Sequence, residues 1–437
     1  MSRQKSRLKI RPRRPWMVPP GLLVLSEPFE GFHILEELGN ESGLLLWQCL
    51  RDVDLWTSAD RAHRGVIFAD GALHQRQRWL ERQPDGVVRR IAESCAVVLQ
   101  RPMRLRGEEV ADLCEEASTW ASDTGLPRTA VAFAQRCAMA APEAAGAAYL
   151  VGLLARRNAD YKRADTWFRR CLALARRKRD WRHYGMAHIG IANIHIQRGD
   201  GAAARNRLTR ALRTARRHGL WGVKAMAFHD LFCIEATAGE HALAEGYAKA
   251  AYRAYGPSHP RLPALAHDVA WHWVLQKQFH RALPVLCALA PHFERHVERM
   301  IVTSSIARAA GGAGETEIFE TAWGEVWRMV QTRLATERVA EALVNLAHGA
   351  AALGQSVRVE MAASQALTVA RRRGEAQERL AAEELLAHLR AAARGKSKDA
   401  PAAEETPTQC ANADQWASEL VAALSESPPP RGVVKRG

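Results

Sequence analysis

The chain has 437 residues, and none of its apolar runs approaches the ~18 consecutive residues that a membrane span needs. Near its start, the stretch from Trp16 to Leu25 is broken by Pro19, Pro20 and Gly21, and no small-residue cleavage site follows, so this stretch is not expected to act as a secretion signal. The eight cysteines (49, 95, 114, 137, 171, 233, 287 and 410) form no CxxC pair. Several lie among apolar residues of helical stretches, the pattern of buried, reduced thiols rather than of disulfides or metal ligands. Glycine and proline are not raised, which excludes a collagen-like chain. Lysine is scarce, at 10 of the 62 basic residues. These absences lead to the expectation of a cytoplasmic protein.

Chemistry-bearing motifs are also sparse. A phosphate loop needs glycines around a Lys-Ser/Thr pair. The stretch Gly311-Gly312-Ala313-Gly314-Glu315-Thr316 lacks the lysine, puts a carboxylate where phosphate would sit, and is expected to be a turn between helices. His188 and His195 are seven residues apart on one helical face, but no HExxH or Cys/His cluster accompanies them, so no metal is expected. No Ser-His-acid or paired-carboxylate pattern is legible. The chain is therefore read as non-enzymatic and without a cofactor. The string from Arg106 to Leu113 resembles the first helix of a helix-turn-helix. Its continuation, Cys114-Glu115-Glu116-Ala117, is acidic and lacks base-reading side chains, so it reads as a repeat helix instead.

What is abundant is alanine and arginine, both strong helix formers, in a chain that is 47% hydrophobic and carries a net charge of +15. Helix-period segments alternate with short Gly or polar turns, and the chain repeats itself. Small residues follow the turns at Ala130, Ala164, Ala204, Ala244, Ala282, Ala322 and Val359, at intervals of 34, 40, 40, 38, 40 and 37 residues. In the clearest unit, Ala145 to Lys178, Gly152 precedes Ala164 by twelve residues and Phe168 and Cys171 follow it. Small residues at such offsets let two antiparallel helices approach closely, and a large side chain one turn on fills the groove. Several second helices end in Arg-Arg, which offsets the negative end of the helix dipole.

On Gly152, Tyr161, Ala164, Phe168 and Cys171, with Gly199-Asp200, Ala204 and Ala211 in the next unit and Ala130, Cys137 and Pro142 in the first, the chain resembles the tetratricopeptide-repeat (TPR) family. The match covers roughly residues 108–392. It departs from the family at Ala148, where the signature Trp would stand, and in units near 40 residues, which are similar to the arrays of bacterial signalling regulators. The resemblance implies an all-α, right-handed superhelical solenoid of antiparallel helix pairs, about seven in number. It also implies that the first helix of each unit lines a concave binding face. Carried over by position, that face would hold Tyr149, Arg156, Arg157, Asn193, Gln197, His229, His267 and Trp271, which suit a peptide backbone and acidic side chains. The family's carboxylate clamp is not reproduced, since Ile189 stands where a lysine would pair with Asn193.

The flanks are expected to be a basic flexible arm over 1–30, a helical cap region over 31–107, and a flexible tail over 393–437 with an amphipathic helix at 413–425. That helix would either fold back on the solenoid or dock elsewhere. In the arm, Arg3, Lys5, Arg7, Lys9, Arg11, Arg13 and Arg14 could contact a polyanion. The expected function is a scaffold or adaptor that binds a protein or peptide, preferably acidic. The alternative is a regulatory or sensory module of a transcription or signalling system, its arm contacting nucleic acid. Neither the partner nor the oligomeric state is written in the repeats.

Overall fold

The computed structural model describes residues 32–68, 70–84, 86–293, 295–332, 337–393 and 410–426. The arm and residues 394–409 of the tail lie outside them. The described residues form α-helices, with one 3-10 turn and no strand. The chain divides into two compact units, 1–230 and 231–437. The first holds α1 (Phe32–Leu38), α2 (Asn40–Ser58), α3 (Arg61–Ile67), α4 (Asp70–Arg82), α5 (Val87–Gln100), α6 (Gly107–Asp123), α7 (Pro127–Ala140), α8 (Ala145–Arg157), α9 (Tyr161–Lys178), α10 (Trp181–Gln197) and α11 (Gly201–His218). Helix α12 (Trp221–Thr237) straddles the division. The second holds α13 (His241–Tyr255), α14 (Leu262–Leu275), α15 (Phe279–Leu289), α16 (His296–Ala313), α17 (Thr316–Gln331), α18 (Val339–Ala352), α19 (Ser356–Arg373), α20 (Ala376–Ala393) and α21 (Cys410–Glu426).

Short connections turn the chain back on itself, and one backbone feature marks each turn. A residue in the left-handed region stands two positions before α7, α9, α11, α13, α15, α17 and α19: Gly125, Ala159, Gly199, Gly239, Lys277, Gly314 and Gly354, with φ between 58° and 80°. Five of the seven are glycine, which alone adopts this region without a steric penalty. Ala159 and Lys277 carry the penalty. Ala159→Gly and Lys277→Gly are each expected to stabilise the chain by about 0.5–1 kcal/mol in urea unfolding. A loss of stability would contradict the strain.

Aspartates then start several helices. Asp160, Asp180 and Asp200 accept hydrogen bonds from the backbone N–H of Arg163 (3.0 Å), His183 (3.1 Å) and Ala203 (2.9 Å), which would otherwise lack partners. Asp200→Ala should cost about 1 kcal/mol, read by the same unfolding measurement.

The fourth residue of each second helix is buried: Ala130, Ala164, Ala204, Ala244, Ala282, Phe319 and Val359. The sequence register thus holds for six of seven pairs. In the sixth, the matching residue is Phe319 rather than Ala322, one turn earlier than the small-residue pattern places it. The reason is a swap of sizes across the contact. A Cβ added to Gly349 on α18 would lie 2.9 Å from the Phe319 ring and 2.5 Å from the carbonyl oxygen of Ala307. Glycine on the facing helix makes the room that alanine makes elsewhere. The same packing corrects the reading of the glycine string at 311–314. Gly311 and Gly312 lie inside α16, pressed against Gly349 and Phe279, and Gly314 alone (φ 80°) makes the turn.

In the first unit, α1, α2 and α5 pack around Leu45, Leu46, Cys49, Leu50, Ile91 and Phe133. Two buried ion pairs lock this region: Asp52 to Arg76 Nη2 at 2.7 Å, and Asp54 to Arg136 Nε at 2.7 Å and Nη2 at 2.9 Å. Glu37 accepts from the backbone N–H of Arg128 and Thr129, both at 2.8 Å, and so caps α7. Helix α6, the helix-turn-helix candidate, buries Val110, Cys114, Ala117 and Ala121 in its pair with α7.

In the second unit, α21 folds back. It buries Trp416, Ala417, Leu420, Ala423 and Leu424, mainly against α15. The Trp416 ring meets Tyr252 edge-on at 5.0 Å, and the carbonyl of Leu424 lies 3.0 Å from His292 Nε2. Cys49, Cys95, Cys114, Cys137 and Cys171 are buried free thiols, Cys233 is half-buried and Cys287 exposed. Burial pushes the Cys137 thiol up to about 12, so it stays protonated. Among the described residues no helix is long and apolar enough to cross a membrane.

Candidate functional site on the first helices

The residues carried over to the binding face fall in different places. Tyr149 packs inward, its ring 5.7 Å from Phe168 and 6.1 Å from His183. Arg157 reaches Ser122 Oγ at 3.3 Å, Gln197 is exposed at the end of α10, and His229 is buried. Arg156 and Asn193 come together with Asp230, which the sequence did not single out. Asn193 Nδ2 donates to Asp230 Oδ2 at 2.8 Å. Burial lowers the affinity of Arg156 for its proton, and Tyr149 and Asp230 act in the opposite direction, so the half-buried cation has a carboxylate nearby.

In the second unit, His267 Nδ1 faces Asp268 at 3.4 Å. Trp271 lies under Arg308, whose guanidinium carbon stands 5.2 Å from the ring centroid. Arg308 Nη1 donates to Asn345 Oδ1 at 3.2 Å, and Asn345 Nδ2 donates to Ser304 Oγ at 3.2 Å. Burial pushes Arg308 down to about 10, with no carboxylate raising it again. His348, beside it, is held at about 4 by burial and by the Arg308 charge.

Arg308, Asn345 and His348 are absent from the carried-over positions, although a signal for the first two exists. Arg156, Asn193 and Asp230 follow one another at 37 residues, and so do Trp271, Arg308 and Asn345. In units of about 40 residues, that spacing steps back nearly one helical turn per helix. The groups therefore lie on a diagonal across neighbouring first helices, which a search for equal positions in every unit passes over. The arm residues Arg3, Lys5, Arg7, Lys9, Arg11, Arg13 and Arg14 lie outside the described residues.

His188 belongs to neither diagonal. Both of its ring nitrogens are buried without a hydrogen-bond partner, and burial, with Arg207 and Arg210 nearby, holds it at about 4. An unfolded imidazole takes up its proton near 6.5, so between pH 6.5 and about 4 the unfolded chain binds protons that the folded chain refuses. Stability should fall as pH falls through that window. His188→Leu should remove about 2–3 kcal/mol of that loss, measured by urea unfolding at pH 7 and 4.5. Equal losses in both proteins would contradict it. His195, the other member of the candidate metal pair, faces Asp200 at 3.6 Å instead.

No protein-family model matches the sequence, and no curated protein matches it. Among solved structures, a Rap protein complexed with competence and sporulation factor has a TM-score of 0.36 and 11% identity, covering 80% of this chain and 100% of that one. A circular tandem repeat protein has a TM-score of 0.18 and 13% identity, covering 90% of each chain. Both likenesses are too weak to carry a functional conclusion. The paired helices themselves make the architecture of each unit all-α and repetitive.

Proposed function

We propose that the chain is a non-enzymatic scaffold that holds an extended segment of another protein along the first helices of its repeats. The observation that carries this reading is the pair of diagonals, Arg156–Asn193–Asp230 and Trp271–Arg308–Asn345. Packed helices lie 8–10 Å apart, and an extended chain advances about 3.3–3.6 Å per residue. One polar group per helix therefore meets every third residue of a segment laid across the array. Amide, guanidinium and indole groups bind backbone and side chains of such a segment without cutting or modifying it. The arm, with seven positive charges in its first fourteen residues, adds a region that draws acidic partners by long-range attraction.

Photo-crosslinking in cells that make the protein tests this. A photoreactive phenylalanine analogue at Asn193 or Trp271 should give discrete adducts to one shared partner. The same group at Val357, exposed on a second helix, should not. Adducts from Val357 alone, or none from the first-helix positions, would overturn the scaffold reading.

A further inference from the structure

Arg308 is the half-buried cation of the second diagonal, and it differs from its counterpart in one respect. In the first unit, Arg156 has Asp230 close enough to favour its charged form. In the second, Asn345 occupies the end of the diagonal, and among the described residues no carboxylate forms an ion pair with Arg308. Of the five donors of a guanidinium, Nη1 alone has a hydrogen-bond partner among the described residues, the neutral oxygen of Asn345. The Trp271 ring lies against the guanidinium on one side, and Ser304 fixes the Asn345 amide so that its oxygen stays turned to Arg308. The arginine is thus positioned, partly withdrawn from water and uncompensated. Withdrawing an unpaired charge from water is unfavourable, and a fold keeps such a group at an expense to its own stability.

Resting on the scaffold reading, we propose that Arg308, set by Trp271 and Asn345, binds one aspartate or glutamate side chain of an extended acidic segment of a partner protein. The cradle's charge selects this chemistry. His348 beside it is neutral at pH 7, so the cradle offers a single positive charge. One carboxylate balances it with two parallel hydrogen bonds to the free edge of the guanidinium, whereas a phosphate dianion would remain half-neutralised. Trp271 supplies an apolar wall for the methylenes of the acidic side chain.

The test uses the full-length chain and a fluorescein-labelled twelve-residue peptide of alternating Glu and Gly, with a Gln-Gly peptide of the same length as control. Anisotropy is read at 0.15 M salt. Arg308→Met should weaken the Glu-Gly peptide at least tenfold, and Arg308→Lys should weaken it less. Arg372→Met, which removes the same charge from an exposed helix end, should change it less than twofold. Without peptide, Arg308→Met should leave the thermal midpoint unchanged or raise it, because an uncompensated charge has been removed. A purely structural arginine would lower it. Equal binding of the Glu-Gly and Gln-Gly peptides, no binding of either, or equal losses for Arg308→Met and Arg372→Met would each overturn the carboxylate site. So would a tenfold loss seen with a single-stranded oligonucleotide and not with the peptide. None of these results touches the crosslinking contrast, so the site and the scaffold fail separately.

Discussion

Replacing Phe168 with alanine is expected to lower the stability of the first unit by about 3–5 kcal/mol, the range for deleting a buried aromatic ring. The ring is fully buried in the cluster that includes Ala164, Cys171 and Ile191. It is also a wedge shared by three helices. A Cβ added to Gly152 on α8 would lie 2.7 Å from Phe168 Cδ1, and one added to Gly190 on α10 would also press into the ring. Gly152 belongs to the same pair as Phe168 and Gly190 to the next, so one side chain joins two repeats. Coupling follows. Gly190→Ala alone should cost about 1–3 kcal/mol through overpacking, and much of that cost should disappear in a Phe168→Leu background. A double-mutant cycle by urea unfolding reads the coupling directly. Additive costs would show that the two residues do not share the contact.

Arg136→Met should cost about 3–5 kcal/mol, because it leaves the Asp54 carboxylate buried without its partner. Both side chains are less than a tenth exposed, and the guanidinium meets the carboxylate through two hydrogen bonds. The pair ties α2 of the N-terminal helices to α7 of the first repeat. Removing both charges, Asp54→Leu with Arg136→Met, should recover most of the loss, since no charge then remains uncompensated. Unfolding of the double variant at the midpoint of Arg136→Met alone would show that the bond, and not the stranded carboxylate, accounts for the stability.

The repeats were legible because their markers are local. A glycine or small polar turn, a buried small residue four positions into the next helix and a basic helix end each follow from the chain within a few residues. Phe319 escaped because its compensation lies at Gly349, thirty residues away on another helix. Gly311 and Gly312 read as a turn for the same reason. A glycine chosen for helix contact looks like a glycine chosen for φ until the neighbouring helix is in place. The ion pairs Asp52–Arg76 and Asp54–Arg136 join residues 24 and 82 apart, with no periodic signal to join them. Of the groups on the proposed face, Asn193 and Trp271 were within reach of positional carry-over, whereas Arg308 and Asn345 required the 37-residue diagonal. Tyr149 and His229 show what carry-over by position leaves out. Their positions suit a binding face, but Tyr149 packs on Phe168 and His183 and His229 is buried.

The scaffold is most directly tested by selecting binders from a library of random twelve-residue peptides on the full-length chain. Each selected peptide is then titrated against Asn193→Ala, Trp271→Ala and Val357→Ala. The expected result is enrichment of acidic sequences, each losing at least tenfold in affinity with Asn193→Ala or Trp271→Ala and keeping it with Val357→Ala. Neutral or basic winners, or winners indifferent to both first-helix substitutions, would contradict the account.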